Sequence, residues 1–255
     1  SKIRVTDLFT EVDEEHARRE AALLGRRHAG AAGLPAVTTA VVAVTVGQGL
    51  IELFGQLGVQ GLVNGGQTMN PSTAELLDAV EAVNAPQVVL LPNNKNIIPV
   101  AQQVDALTSK AVRVVPTRSM PEALAALIVY DPEADAATNA AAMTDVAAAV
   151  GTGEITRAVR DTAGPAGPVT TGDWIGLAGG DGIVAVAGAL LPACLALLDH
   201  LVGDGREIVT IIEGVGSDSG STEAMREWVA EQRPGVAVEV HRGDQPLYPY
   251  LFGVE

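Results

Sequence analysis

Aromatic residues make up only 3% of this 255-residue chain against 47% hydrophobic overall, so any core must be assembled from Ala, Val, Leu and Ile. Ala-rich helices and Val-rich strands are the ordinary materials of α/β layers, and a chain of this length can bury one large core or two. There is one cysteine, Cys194, inside Leu190-Leu191-Pro192-Ala193-Cys194-Leu195. That excludes a disulfide framework within the chain and reads as a buried, inert thiol. Positive charge is scarce: Lys+Arg 16 stand against Asp+Glu 31, the net charge is −15, and Lys95 is one of only three lysines. The first thirty residues balance six basic against six acidic groups, so the whole excess lies beyond them. A surface that acidic repels phosphate backbones and anionic headgroups, which argues against nucleic acid and polybasic membrane attachment. No apolar run reaches spanning length, because Asp, Gly or Pro breaks the Ala-rich stretches, and no signal peptide is read. The expected location is cytoplasmic.

What is present alternates. Residues 1–35 read as a peripheral helix and linker: Glu14–Arg18 and Glu15–Arg19 stand at i,i+4, and Gly30, Gly33 and Pro35 then break the pattern. From Ala40 the chain reads strand (40–44), helix (49–57), strand (61–63), helix (73–83), strand (88–91), helix (97–107), strand (112–115), helix (121–128), then a long Ala-rich helix over 133–150. Ser72 with Glu75 three residues on predicts a capping box. Beyond Gly151 the character changes. Strands at 155–160 and 173–177 flank a Gly/Pro-rich loop, and a further strand follows Gly179-Gly180-Asp181-Gly182. Then come a helix (190–202), a strand (208–212), a helix (222–232) and a strand (236–240). The expectation is an α/β fold of two lobes, 36–150 and 151–255, with mainly parallel sheets and flanking helices.

Three polar stretches follow apolar strands: Gly65-Gly66-Gln67-Thr68-Met69-Asn70-Pro71-Ser72-Thr73, Pro92-Asn93-Asn94-Lys95-Asn96 and Pro116-Thr117-Arg118-Ser119. In an open parallel sheet the loops at the carboxyl ends of the strands share one edge, where ligands bind. Gly65, Gly66, Gln67, Thr68, Asn70, Ser72, Asn93, Asn94, Lys95, Asn96, Thr117 and Arg118 would form such a rim. The alternative is that Asn and Gly serve turns while Ser and Thr serve caps.

Other signals have plainer readings. Gly47-Gln48-Gly49 hints at a dinucleotide fingerprint, but position 52 is Glu, so a tight strand-to-helix turn is the better reading. No phosphate-binding G-x-x-x-x-G-K-[ST] loop occurs, and the four histidines lack ligand spacing for zinc. His241, before Arg242-Gly243-Asp244, could act as a nucleophile or base, or merely order a loop. Ser217-Asp218-Ser219-Gly220-Ser221 resembles a phosphate nest, but a helix-capping loop fits better.

The rim phrases, with Ile155-Thr156-Arg157-Ala158-Val159-Arg160-Asp161 and the tail His241-Arg242-Gly243-Asp244-Gln245-Pro246-Leu247-Tyr248-Pro249-Tyr250-Leu251, resemble the C-terminal domain of the bacterial fatty acid kinase A-subunit, a dihydroxyacetone-kinase-like family. The resemblance covers about residues 36–255, and residues 1–30 look like the tail of that family's middle region. It implies a fold similar to DegV-like and dihydroxyacetone-kinase substrate-binding domains. It also implies a non-catalytic domain that engages a separate fatty-acid-binding (DegV-like) subunit, with ATP and Mg expected only on an N-terminal domain that has no counterpart here. The implied contact residues add Arg160, His241 and Gln245 to the rim. A homodimer is a possible assembly, and no catalytic residue, metal ligand or cofactor is expected within this stretch. The family's usual Gly-Gly-Gln-Pro reads Gly243-Asp244-Gln245-Pro246 here. Two alternatives stay open: a lipid or small-anion binding module in its own right, and a dihydroxyacetone-type subunit in which His241 forms a covalent adduct.

Overall fold

The computed structural model of the chain describes residues 36–66 and 70–255. The charged stretch expected to be helical around residues 13–20, and the rim residues Gln67 and Thr68, lie outside the described residues. The chain divides into two compact units: one holds the described residues up to Arg118 with Val129–Met143, the other Ser119–Ile128 with Thr144–Glu255.

The first unit is built on β1 (Thr39–Thr45), α1 (Gln48–Gln56), β2 (Gly61–Asn64), α2 (Thr73–Ala82), β3 (Gln87–Leu91), α3 (Ile98–Ala101) and β4 (Ala111–Val114). Its four strands are all parallel, in the order β2-β1-β3-β4. Every residue of β1 is buried, as a central strand covered on both faces requires, so Thr-Ala-Val-Val-Ala-Val-Thr shows no polar alternation. The step from β1 to β2 runs one way across the sheet and the step from β2 to β3 runs back, so right-handed crossovers put α1 and α2 on opposite faces. Strand parity agrees. Ala40, Val42 and Val44 share a core with Leu76 and Val80 of α2, leaving Val41, Ala43 and Thr45 to the α1 face. The Ser72–Glu75 capping box that starts α2 is present in both directions. The helix expected over 97–107 is instead α3 followed by a 3-10 turn at Val104–Leu107. That break lets the Asp105 carboxylate accept the Val112 amide hydrogen at the start of β4, at 2.9 Å.

The boundary differs from a clean division at residue 150. The helix α4 (Met120–Ile128) groups with the second unit, where it lies against the last strand, and α5 (Ala136–Ala149) passes from one unit to the other after Met143.

The second unit continues with β5 (Gly151–Arg157), β6 (Thr162–Gly164), β7 (Gly167–Val169), β8 (Trp174–Ala178), β9 (Gly182–Ala187), α6 (Leu190–Leu201), β10 (Ile208–Glu213), α7 (Ser219–Gln232), β11 (Ala237–Arg242) and β12 (Tyr250–Val254). Six strands form one sheet in the order β11-β10-β12-β5-β8-β9, and β6–β7 is a separate hairpin. Here the expectation of parallel strands fails: only β10–β11 is parallel, and the other four pairings are antiparallel. The short Gly179–Asp181 turn can join only antiparallel neighbours, because a parallel pair needs a crossover. Strand β5 begins four residues earlier than expected, at Gly151, and ends at Arg157. Gly153 of this strand and Gly176 of β8 are there for close approach. A Cβ at Gly153 would lie 2.6 Å from Leu201 Cδ1, and one at Gly176 would lie 3.0 Å from Leu197 Cβ, so α6 can press on the sheet only where both are bare. The α/β class with flanking helices holds throughout.

Candidate functional site

The register of the first sheet places one polar residue from each strand or its following loop on a common level. Thr45 lies beside Asn64 of β2. Carrying the β1–β3 register two residues past the Ala43–Leu91 pair sets Asn93 on its other side. The β3–β4 register, carried three residues past Leu90–Val114, sets Thr117 beside Asn93. Everything just before this row is apolar, so the sheet changes abruptly from core to polar edge.

The middle of the row is a hydrogen-bonded brace. The Asn93 carboxamide donates to the Val44 carbonyl at 2.8 Å and accepts from the Thr117 hydroxyl at 2.7 Å. The Asn93 amide donates back to Thr117 Oγ1 at 3.2 Å. Both side chains are buried, and Asn93 holds the left-handed conformation (φ 56) that carboxamide residues tolerate better than most. On the β2 side, the Gly65 amide donates to the Thr45 carbonyl at 3.0 Å and the Gly66 amide to Asn64 Oδ1 at 2.8 Å. Thr45 is the exception. It is fully buried, and its hydroxyl has no hydrogen-bond partner among the described residues.

Of the expected rim, Gly66, Asn70, Ser72, Lys95, Asn96 and Arg118 are exposed; Asn94 is half-buried, and Gly65, Asn93 and Thr117 are buried. The buried ones brace the edge. Asn94 serves its own turn, its carboxamide oxygen accepting from the Asn96 amide at 2.9 Å. Ser72 is committed to the cap of α2. Hydrogen bonds from the Ser72 backbone and then its side chain hold the Glu75 carboxyl below the usual carboxylate range. Lys95 and Arg118 supply the cations of this edge.

The remaining candidates belong to the second unit. Arg160 is exposed just beyond β5. His241 on β11 stands 3.6 Å from Glu239 of the same strand (Nε2 to Oε2), with no triad around it among the described residues. Gln245 is a buried wedge: its amide reaches the Ile212 and Tyr248 carbonyls at 3.3 and 3.2 Å. The loop at Ser217–Ser221 caps α7, with Asp218 accepting from the Ser221 amide at 2.8 Å and its hydroxyl at 2.7 Å. Cys194 is buried, and desolvation pushes its thiol up to about 12. Among the described residues, no group of three or more His, Cys, Asp or Glu is placed to hold a metal ion, and no helix is long and apolar enough to cross a membrane.

Two members of the polar row, Thr45 and Asn64, escaped the sequence reading. Their signal was available: each is the polar last residue of an otherwise apolar strand, Thr-Ala-Val-Val-Ala-Val-Thr and Gly-Leu-Val-Asn.

Residues 40–255 match the FakA-like family, described as the C-terminal part of fatty acid kinase A-subunit-like proteins. An uncharacterized protein of Staphylococcus aureus strain MRSA252 is 36% identical over 229 residues, which is 90% of this chain and 42% of that protein. The chain thus spans less than half the length of the curated relatives it matches. In fold it is similar to the DegV family protein Cg2579 from Corynebacterium glutamicum, at a TM-score of 0.59 and 15% identity over 86% of this chain and 96% of that one. It is also similar to the Streptococcus pneumoniae fatty acid kinase B3 protein loaded with linoleic acid, at a TM-score of 0.59 and 10% identity over 86% and 99%.

Proposed function

Because this chain belongs to the FakA-like C-terminal family, we propose that it is a non-catalytic docking domain of a fatty acid kinase. It engages a separate fatty-acid-binding protein, so that an ATP-binding domain elsewhere phosphorylates the acyl carboxylate. The observation that carries this reading is the polar edge of the first sheet. It is braced from beneath by Asn93 and Thr117, and it presents Lys95 and Arg118 at the surface of a chain whose net charge is −15. A braced edge with exposed cations suits a protein contact. Lys95 and Arg118 meet an anionic group of the partner, or the acyl phosphate that it presents, through charge-assisted hydrogen bonds.

The test is sedimentation and calorimetric titration of the chain with the fatty-acid-binding protein of the same organism. The expected result is a defined complex that Lys95→Ala and Arg118→Ala each weaken by about tenfold or more, from roughly 1.5–3 kcal/mol per charged hydrogen bond. The loss should shrink at high salt, with melting temperatures unchanged. No complex at micromolar concentrations refutes the docking reading. An intact complex with lowered melting temperatures makes the two cations structural.

A second reading, direct lipid binding, is favoured by one observation: the fold is shared with a protein solved with linoleic acid. Delipidated chain titrated with a fluorescent fatty acid decides it, and saturable binding in the absence of any partner is the supporting outcome.

A further inference from the structure

Three features of the first sheet meet at the end of β1. The strand order β2-β1-β3-β4 reverses direction between β1 and β3, and open α/β sheets take ligands in the crevice outside the strand ends at such a reversal. The nine-residue helix α1 starts at that point with Gly47 as its N-cap, in a φ 95 conformation that glycine adopts without strain, and this N-cap brings no side chain to the first turn. A helix start of this kind favours an anion, through its oriented amides and the positive end of its dipole. The Thr45 hydroxyl, on the α1 face of the sheet and two residues before that N-cap, is fully buried without a partner among the described residues. Such an unmatched buried group is rare in a native fold and calls for an explanation, and an ion or ligand that completes it is one.

We propose that the crevice between the ends of β1 and β3 binds one small oxyanion, the carboxylate or phosphate group of a ligand. The Thr45 hydroxyl donates to one of its oxygens and the backbone amides of Gln48 and Gly49 to another. An acceptor-only group matches a hydroxyl and amides that can all donate. The net charge of −15 opposes any anion at long range, so recognition here is by short hydrogen bonds rather than by the protein's overall field. The neighbouring Asn93 carboxamide fixes the β1 end from the other side through the Val44 carbonyl. This site does not depend on the docking reading, which concerns the exposed surface of the edge.

The experiment follows the melting temperature of the whole chain in acetate, in inorganic phosphate and in chloride at matched ionic strength, with dissociation constants from calorimetry. Acetate or phosphate should raise the melting temperature saturably where chloride does not. A response to acetate alone assigns a carboxylate ligand, and a response to phosphate alone a phosphate group. Thr45→Val should weaken the responding anion by about ten- to a hundredfold. The same change should leave melting in chloride no lower than wild type, because a methyl replaces an unmatched hydroxyl. Thr45→Ser should retain the response. Gln48→Pro removes one donor at a helix position where proline is tolerated, and should weaken the anion while the helix persists. The proposal is overturned if neither anion does more than chloride, or if Thr45→Val and Gln48→Pro both respond like wild type. It is also overturned if Thr45→Val lowers melting in chloride, since the hydroxyl would then have a partner within the protein.

Discussion

Replacing Asn93 by Ala removes the brace of the candidate site with little loss of volume. Two buried groups lose their partner at once: the Val44 carbonyl, bonded at 2.8 Å, and the Thr117 hydroxyl, bonded at 2.7 Å. Each newly unsatisfied group costs roughly 1–3 kcal/mol, and the Thr117 oxygen keeps its bond from the residue 93 amide, which favours the low end for that group. Alanine at φ 56 adds about 1–2 kcal/mol, because its Cβ crowds the following carbonyl in the left-handed region. The sum is about 3–6 kcal/mol, or roughly 6–24 °C in melting temperature for a protein of this size. Asn93→Gly, which relieves the backbone but not the hydrogen bonds, should lose about 1 kcal/mol less. Thr117→Val removes the same side-chain bond from the other end. The double variant should therefore fall short of additivity by about 1 kcal/mol or more. Urea unfolding followed by circular dichroism measures the four variants against wild type. Additive losses, or an Asn93→Ala loss below about 0.5 kcal/mol, would refute the brace.

Two further outcomes are expected. Leu247 is 64% exposed with φ 71, so Leu247→Gly should relieve about 1–2 kcal/mol of left-handed strain against about 0.5–1 kcal/mol of added chain entropy. Urea unfolding should then show a variant between unchanged and about 1.5 kcal/mol more stable, and a loss above about 1 kcal/mol overturns the reasoning. Asp218 has its carboxyl held below its ordinary value of 3.8, first by the Ser221 amide and then by the Ser221 hydroxyl. Its contribution is therefore full above that value and fades as the pH falls through the lower folded value. Wild type and Asp218→Asn should differ most in thermal stability above about pH 4 and converge below it; a gap that widens in acid contradicts the cap.

Local chemistry made much of this protein legible in its sequence. The uniformly apolar runs of β1 and β3 announced strands covered on both faces, and Ser72 with Glu75 announced the start of α2. Residues Ser217 to Ser221 read as a cap rather than a phosphate nest, and Asp218 caps α7. These signals need only neighbours within one turn of chain, so a sequence window contains them. The candidate edge was half legible: the exposed Lys95 and Arg118 were singled out, while Thr45 and Asn64 were absorbed into their strands. Asn93 and Thr117 were read as surface groups, yet they are buried and bonded across 24 residues, and Asn93 reaches Val44 across 49. The antiparallel pairings of the second sheet were equally hidden, because strand direction is chosen by which faces pack together. Nothing in the sequence marked Gly153 and Gly176 as the places where α6 lies close enough to need the space. Register and close approach arise from contacts between segments remote in sequence, so only the tertiary structure could decide which polar residues face solvent and which support the sheet beneath them.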